Sequence, residues 1–253
     1  MKKHGKLAKA TFLSILGVVT LFYIFVYGFD VEKKIVFDPF KETLPTEKFL
    51  ISKLKTGYFL SKDNLKISYW YIEGDKNLPA IIYCHGNRQN MTYFQDRIKF
   101  LVENGYRVFM FDYRGYGNSE GKPFEQGLYR DLESLLSFVN EEYGIKKDHM
   151  ILWGHSLGGA VVTDIASRDK FKGVILEGTF TKLEDMKNYA ARFKSQNIAE
   201  EVINKILYNS IPITQKFESI NKVENIKSAL LILHSRFDSI VPSWMSKKLA
   251  EKN

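Results

Sequence analysis

Residues 149–159 read HMILWGHSLGG. The apolar run Met150–Trp153 has the character of a buried strand, and it breaks into Gly154-His155-Ser156-Leu157-Gly158 before GGAVVTDIASR, a segment suited to a helix. Strand, tight turn and helix in that order predict a nucleophile elbow with Ser156 at its tip, because a serine forced into so sharp a turn needs side-chain-free neighbours two residues to either side. A helix starting at the serine aims backbone N–H groups and the positive end of its dipole at the point where an oxyanion would form, which suits acyl transfer. A Gly-rich turn in some other α/β protein would share the pattern, so the rest of the chain has to decide.

Outward from the elbow, strand-like and helix-like segments alternate. LKISYWYIE (65–73) alternates in polarity, and PAIIYCHG (79–86) and YRVFMFDYRG (106–115) are short continuous apolar runs. Between them, Phe94, Ile98, Leu101 and Val102 recur at helical spacing before Gly105; Leu128, Leu132, Leu135, Leu136 and Val139 share one helical face that Gly144 closes. FKGVILEGTF (171–180) and ALLILHSRFD (229–238) read as further buried strands. The alternation predicts an α/β fold with a mostly parallel sheet covered by helices on both faces and functional groups at the carboxyl ends of the strands. Polar groups do follow those ends: His85-Gly86-Asn87-Arg88, Asp112-Tyr113-Arg114-Gly115, Ser156, Glu177 and Asp238.

The chain of 253 residues suits one substantial domain. Its net charge of +8 is uneven, since Lys2, Lys3, Lys6 and Lys9 precede residue 30 without an acidic residue and the remainder holds 33 basic against 29 acidic groups. No dense basic stripe with interleaved aromatics occurs beyond that flank, so nucleic acid is not expected as a partner. One cysteine, Cys84, excludes an intramolecular disulfide; inside AIIYC it reads as a small buried residue. No cluster has metal-ligand spacing, and no metal or organic cofactor is expected.

Ala10–Phe29 is uncharged for twenty residues, a helix of roughly 30 Å, enough to cross the hydrocarbon of a bilayer. A cleaved signal peptide is the rival, but this run ends FYIFVYGF, with aromatics suited to a membrane interface instead of small residues. The expectation is an uncleaved single-pass membrane anchor at 10–29 after a basic flank at 1–9. The lysine-dense flank puts the N-terminus in the cytoplasm and the domain outside it. A connector over 30–55 then leads to a domain over 56–253, with a short helical cap at about 181–222 whose Phe193, Ile198, Ile203, Ile206, Leu207 and Tyr208 suggest an apolar acyl pocket.

Through HGN (85–87), DYRGYGNSEG (112–121), GHSLGG (154–159), EGTF (177–180) and FDSIVP (237–242), the chain from about residue 56 onward resembles the α/β-hydrolase superfamily, specifically its serine aminopeptidase-like or ABHD-type membrane-anchored hydrolases. The resemblance implies that Ser156 is the nucleophile, Asp238 the triad acid, and the backbone N–H groups of Asn87 and Leu157 the oxyanion hole. Each role has a physical reason: the serine needs a base, the base a carboxylate to fix its tautomer, and the oxyanion two preorganised donors. A turn or cap aspartate is the plain alternative for Asp238. Glu177 is the runner-up acid, His85 a positioner of the oxyanion turn, and Arg114 a brace between loops.

The resemblance also implies a histidine some 25–35 residues after Asp238, beyond one more strand. None of His4, His85, His149, His155 and His234 occupies that place, and SWMSKKLAEKN (243–253) reads as a helix whose Trp244, Met245 and Leu249 lack a continuation to pack against. The expectation is a chain truncated before its last strand and helix, inactive as it stands, with 229–237 left as an exposed sheet edge. The function expected of the intact form is cleavage of carboxylic ester, thioester or amide bonds in a small or lipid-like acyl substrate. An inactive α/β-hydrolase-like binding module and an acyltransferase are the alternatives.

Overall fold

The structure is a computed structural model that describes residues 36–193 and 214–253, with Gly17 and Lys33. The predicted anchor at 10–29 and the middle of the predicted cap, with Ile198, Ile203, Ile206, Leu207 and Tyr208, lie outside the described residues. Among the described residues no helix is long and apolar enough to cross a membrane.

The strands are β1 (Asp38–Pro39), β2 (Leu54–Leu60), β3 (Lys66–Ile72), β4 (Ala80–Cys84), β5 (Arg88–Gln89), β6 (Val108–Phe111), β7 (Met150–His155), β8 (Gly173–Glu177) and β9 (Leu230–Leu233). The helices are α1 (Lys48–Ile51), α2 (Gln95–Glu103), α3 (Glu125–Tyr143), α4 (Leu157–Ala166), α5 (Leu183–Phe193) and α6 (Trp244–Lys252). Seven strands form one sheet in the order β2-β3-β6-β4-β7-β8-β9. Pairing is antiparallel at β2–β3 and β3–β6 and parallel from β6 to β9. This is the expected mostly parallel sheet with helices on both faces.

The continuous apolar runs have a simple cause. Ala80, Ile82 and Cys84 of β4, Phe109 and Phe111 of β6, and Met150 and Leu152 of β7 enter one core. Their alternates Ile81, Tyr83, Val108 and Met110 enter a second, with Ile151 and Trp153 packed against it. Each strand therefore buries both faces, as a parallel sheet under helices must. Leu128, Leu132, Leu135, Leu136 and Val139 of α3 join the first core, as their helical spacing predicts, and Ile98, Leu101 and Val102 of α2 the second. Central helix α4 is buried along its whole length, so it carries no polar stripe to betray it in sequence.

Three expectations need correction. Of the run 229–238, expected as a strand and as an exposed edge, only Leu230–Leu233 pair, so the strand is shorter than the run, while Leu231 and Leu233 are 50% and 41% exposed. The reason is position: among the described residues β9 has a neighbour on one side alone, so the face that a further layer would cover meets solvent. The terminal helix is better packed than expected, with Met245 and Leu249 fully buried in the first core and only Trp244 of the three partly exposed. The stretch before residue 56 is no free connector either: β1 pairs in parallel with β5, α1 buries Leu50 in the second core, and β2 begins at Leu54.

Arg114 is the brace expected of it. Its guanidinium donates to Asp131 on α3 and to Asp63 in the β2–β3 turn, at 2.7 Å in each case. The pairing holds the Asp63 carboxyl far below the usual carboxylate range.

The elbow packs Gly154 and Gly158 directly against backbone. A Cβ on Gly158 would stand 2.1 Å from the carbonyl oxygen of Cys84, a backbone atom fixed in the central strand, whereas one on Gly173 would meet nothing closer than 3.7 Å. Gly158→Ala should therefore cost roughly 3 kcal/mol and lower the melting temperature by about 6–12 °C, with Gly173→Ala near the parent. Thermal unfolding of the two variants checks this, and equal melting would show that the backbone yields at the elbow.

Candidate active site

Ser156 stands between β7 and α4 with φ 52° and ψ −115°, a left-handed backbone that a non-glycine residue adopts only under constraint. Three hydrogen bonds supply it: Ser156 N–H donates to the Glu177 carbonyl at 2.9 Å, and the Ser156 carbonyl accepts from Gly159 N–H at 2.9 Å and from the Thr179 hydroxyl at 2.8 Å. The glycines are needed for space, since a Cβ on Gly154 would lie 2.4 Å from the Gly158 carbonyl oxygen and one on Gly159 2.5 Å from the Thr179 side chain. Leu157 opens α4, so its N–H is among those at the helix N-terminus that no intrahelical carbonyl takes up. Among the described residues no hydrogen bond engages Ser156 Oγ.

Across from the elbow runs the loop after β4. A Cβ on Gly86 would come within 3.5 Å of Ser156 Cβ and 3.2 Å of the His155 ring, which puts this loop in contact with the Ser156 turn. His85 is fully buried; its Nδ1 lies 2.7 Å from the Gly86 carbonyl, which only accepts, so Nδ1 carries the proton. Its Nε2 then faces Asp112 Oδ1 at 3.5 Å. Asp112 accepts from Met91 N–H at 2.7 Å at the far end of the loop. Burial pushes Asp112 up to about 7 and His85 down to about 4.

The two candidate acids differ in what already occupies them. Glu177 ends β8, forms a short ion pair with Arg97 of α2, and accepts from Trp153 Nε1 at 3.0 Å. Asp238 follows β9 and accepts the N–H groups of Ile240 and Val241 through Oδ1, both at 2.9 Å, which is the turn role foreseen as its plain alternative. Its Oδ2 remains directed inward, 3.5 Å from where a Cβ on Gly178 would stand and 3.4 Å from His234 Nε2.

The histidines are placed as follows. His234 is engaged on both nitrogens, Nε2 donating to the Val241 carbonyl at 2.8 Å and Nδ1 accepting from the Ser246 hydroxyl at 2.5 Å. His149 lies at the opposite end of β7. His155, last in that strand, has Nδ1 4.0 Å from Glu177 Oε2 and no hydrogen bond there, and burial, then Arg97, lower its pKa. Cys84 is fully buried and its thiol is pushed well up by that burial, in keeping with a packing role. Ser156 and Leu157 thus stand at the elbow, Asn87 follows the Gly86 that touches it, and Asp238 Oδ2 lies near Gly178 just beyond the end of β8. Arg97, Trp153 and Thr179 were missed, Arg97 because it reads as an exposed helix position and Trp153 because it reads as core.

A protein-family model for the serine aminopeptidase S33 hydrolases matches residues 75–216. A lysophosphatidylserine lipase, ABHD12 of Danio rerio, is 33% identical over 196 residues, covering 73% of this chain and 50% of that one. An uncharacterized membrane protein of Saccharomyces cerevisiae, YNL320W, is 31% identical over 205 residues, covering 76% and 65%. The chain thus spans half to just under two thirds of the length of these relatives. Among solved structures, the Pyrococcus furiosus esterase Pf2001 superposes with a TM-score of 0.68 at 22% identity, covering 85% of this chain and 84% of its own. A sheet of this order with a serine elbow at its centre defines an α/β hydrolase. The chain belongs to the serine aminopeptidase S33 family within that superfamily.

The buried His85–Asp112 pair gives a pH test. A carboxyl raised to about 7 contributes stability that is complete below its ordinary range and is lost as pH rises through about 7. A histidine depressed to about 4 does the opposite, its contribution fading as pH falls through about 4. Asp112→Asn removes only the first effect. The variant should therefore gain melting temperature relative to the parent as pH rises from about 4 to about 7; a constant difference across that window would show that Asp112 stays ionised throughout.

Proposed function

We propose that this chain carries the acyl-transfer site of a membrane-anchored serine hydrolase that cleaves carboxylic ester, thioester or amide bonds. The observation that carries the reading is the strained Ser156 backbone at the carboxyl end of β7, with the Gly86 loop packed against it. In this reading Ser156 Oγ attacks the acyl carbonyl as its proton passes to a base. The Asn87 and Leu157 N–H groups hold the tetrahedral oxyanion. The leaving alcohol, thiol or amine departs with that proton, and water, deprotonated in turn, releases the acid and regenerates the serine. Asp238, whose Oδ2 takes no hydrogen bond among the described residues and lies 3.4 Å from His234 Nε2, is the carboxylate that orients the base; Glu177 is committed to Arg97 and Trp153. The lipase name of one relative supports an ester of lipid-like shape as substrate.

No described histidine hydrogen-bonds to Ser156, and this favours a second reading, a binding module without turnover. On the hydrolase reading the 253-residue chain has a correctly shaped but unassisted nucleophile, with a rate about 10⁴-fold or more below that of a site holding its base. Residues 10–29 are the anchor, with the N-terminus cytoplasmic and the domain on the far side, on the strength of the charge-free run and its lysine-dense flank.

A fluorophosphonate probe should label this chain slowly and at Ser156, with the adduct absent from Ser156→Ala; mass spectrometry reads the site. Labelling at another serine, or no labelling at all, would favour the binding-module reading. In cells the protein should stay with membranes through an alkaline carbonate wash and its domain should be cleaved by protease added outside. Release by the wash, or a mature N-terminus near residue 30, would replace the anchor with a signal peptide.

A further inference from the structure

The chain that follows the anchor segment does not leave the domain directly. Residues 36–47 lie along the loop that carries Asn87 and bond to it or its surroundings at nearly every second residue. Asn87 Nδ2 donates to the Val36 carbonyl at 2.8 Å, and its Oδ1 accepts from the Tyr116 hydroxyl at 2.7 Å and from Asp38 N–H at 3.3 Å. β1 then pairs in parallel with β5, Asp38 opposite Arg88 and Pro39 opposite Gln89. Asn90, fully buried, donates to the carbonyls of Phe40 at 3.1 Å and Glu42 at 2.7 Å. Farther along, Leu44 N–H donates to Thr92 Oγ1 at 2.9 Å and Glu47 N–H to Gln95 Oε1 at 2.7 Å. Phe37 pins the near end, buried edge-on against Phe217 at 6.1 Å between ring centroids.

We propose that residues 36–47 are a strap that fixes the oxyanion loop, and that the Asn87 side chain is the positioning residue joining the two. Every hydrogen-bonding atom of that side chain is spent on the strap and on Tyr116, while the backbone N–H of the same residue is the donor assigned to the oxyanion. The role of that N–H rests on the function proposed above; the mechanical coupling of strap to loop does not. From the core side Asp112 holds the loop by Met91 N–H and faces His85, so without the strap the stretch between them, with Gln89 at φ 70°, keeps the Tyr116 hydroxyl on Asn87 but loses its pairing with β1. Releasing the strap would also leave the two Asn90 donors without their carbonyls, and a buried donor without an acceptor is destabilising. An oxyanion donor displaced by about 1 Å loses on the order of 10²-fold in rate, so the segment next to the membrane anchor sets the geometry of the site.

The test uses the full chain in detergent micelles, with Asn87→Ala and the milder Tyr116→Phe, which removes one hydroxyl and leaves the strap's own backbone intact. Hydrogen–deuterium exchange read by mass spectrometry should show peptides covering 86–91 and 37–44 exchanging at least tenfold faster in Asn87→Ala and measurably faster in Tyr116→Phe, with α4 peptides unchanged in both. Fluorophosphonate labelling of Ser156 should slow by tenfold or more in Asn87→Ala. Faster exchange over 37–44 with unchanged exchange over 86–91, or no acceleration of either in both variants, overturns the strap. A labelling rate equal to the parent's despite a loosened loop overturns the positioning role. Absence of labelling in the parent refutes the hydrolase reading, and with it the positioning role, while the exchange result still decides the mechanical coupling.

Discussion

Ser156 holds a backbone conformation that costs of order 1–3 kcal/mol for a residue with a side chain, and much of the architecture can be understood as what makes that conformation the lowest available. The strain is overcome by hydrogen bonds from the next strand end, where the Glu177 carbonyl and the Thr179 hydroxyl take both backbone groups of the serine. Those bonds require β8 to lie beside β7 in parallel and to end at the same level, with His155 opposite Glu177. Helix α4 must then start at once, and it can do so only because Gly158 lets its first turn pass against the Cys84 carbonyl. The elbow is therefore a property of three adjacent strands and one helix. A point change at any of the glycines is felt across the sheet.

The second constraint is electrostatic. Polar groups collect at the carboxyl ends of the strands because those ends are where buried backbone stops and loops begin, and each buried charge there has been given a partner or a proton. Asp131 meets the Arg114 guanidinium. Among the described residues Asp112 has no lysine or arginine at contact distance, and burial lifts its pKa to about 7, so neutralising the group replaces pairing it. Glu177 is tied to Arg97 and to the Trp153 ring nitrogen, which makes it a clamp of helix α2 against the strand ends. Asp238 has Oδ1 stitched into its own turn, while Oδ2 faces Gly178 and His234 Nε2.

How much of this was legible in the sequence follows from the range of each interaction. The strands, the helices and the elbow are local patterns: a period of two buried on both faces in β4, β6 and β7, a period of 3.6 in α3, and glycines at fixed offsets from Ser156. Arg114 was legible as a brace through the motif around it. The pairing of Arg97 with Glu177 was not, because eighty residues separate them and an arginine on an amphipathic helix looks like any solvated one. The docking of residues 36–47 was equally hidden, since short polar segments with Pro and Glu carry no periodicity and bond through backbone groups that every sequence possesses. No feature of LLIL itself records the exposed side of β9, because burial of an apolar run depends on what packs beside it.

Asn87 shows why such a site resists reading from a motif alone. In sequence it is the last letter of HGN, and its identity looks irrelevant if only its N–H matters, since any residue but proline has one. In the structure the side chain is the point at which the loop is bolted to the chain entering the domain, through one donor and two accepted bonds that no aliphatic residue and no carboxylate could reproduce together. The backbone group is general and the side chain is particular. The constraint that selects asparagine here therefore comes from the segment some forty to fifty residues earlier in the chain, which gives that segment a direct hold on the loop packed against the elbow.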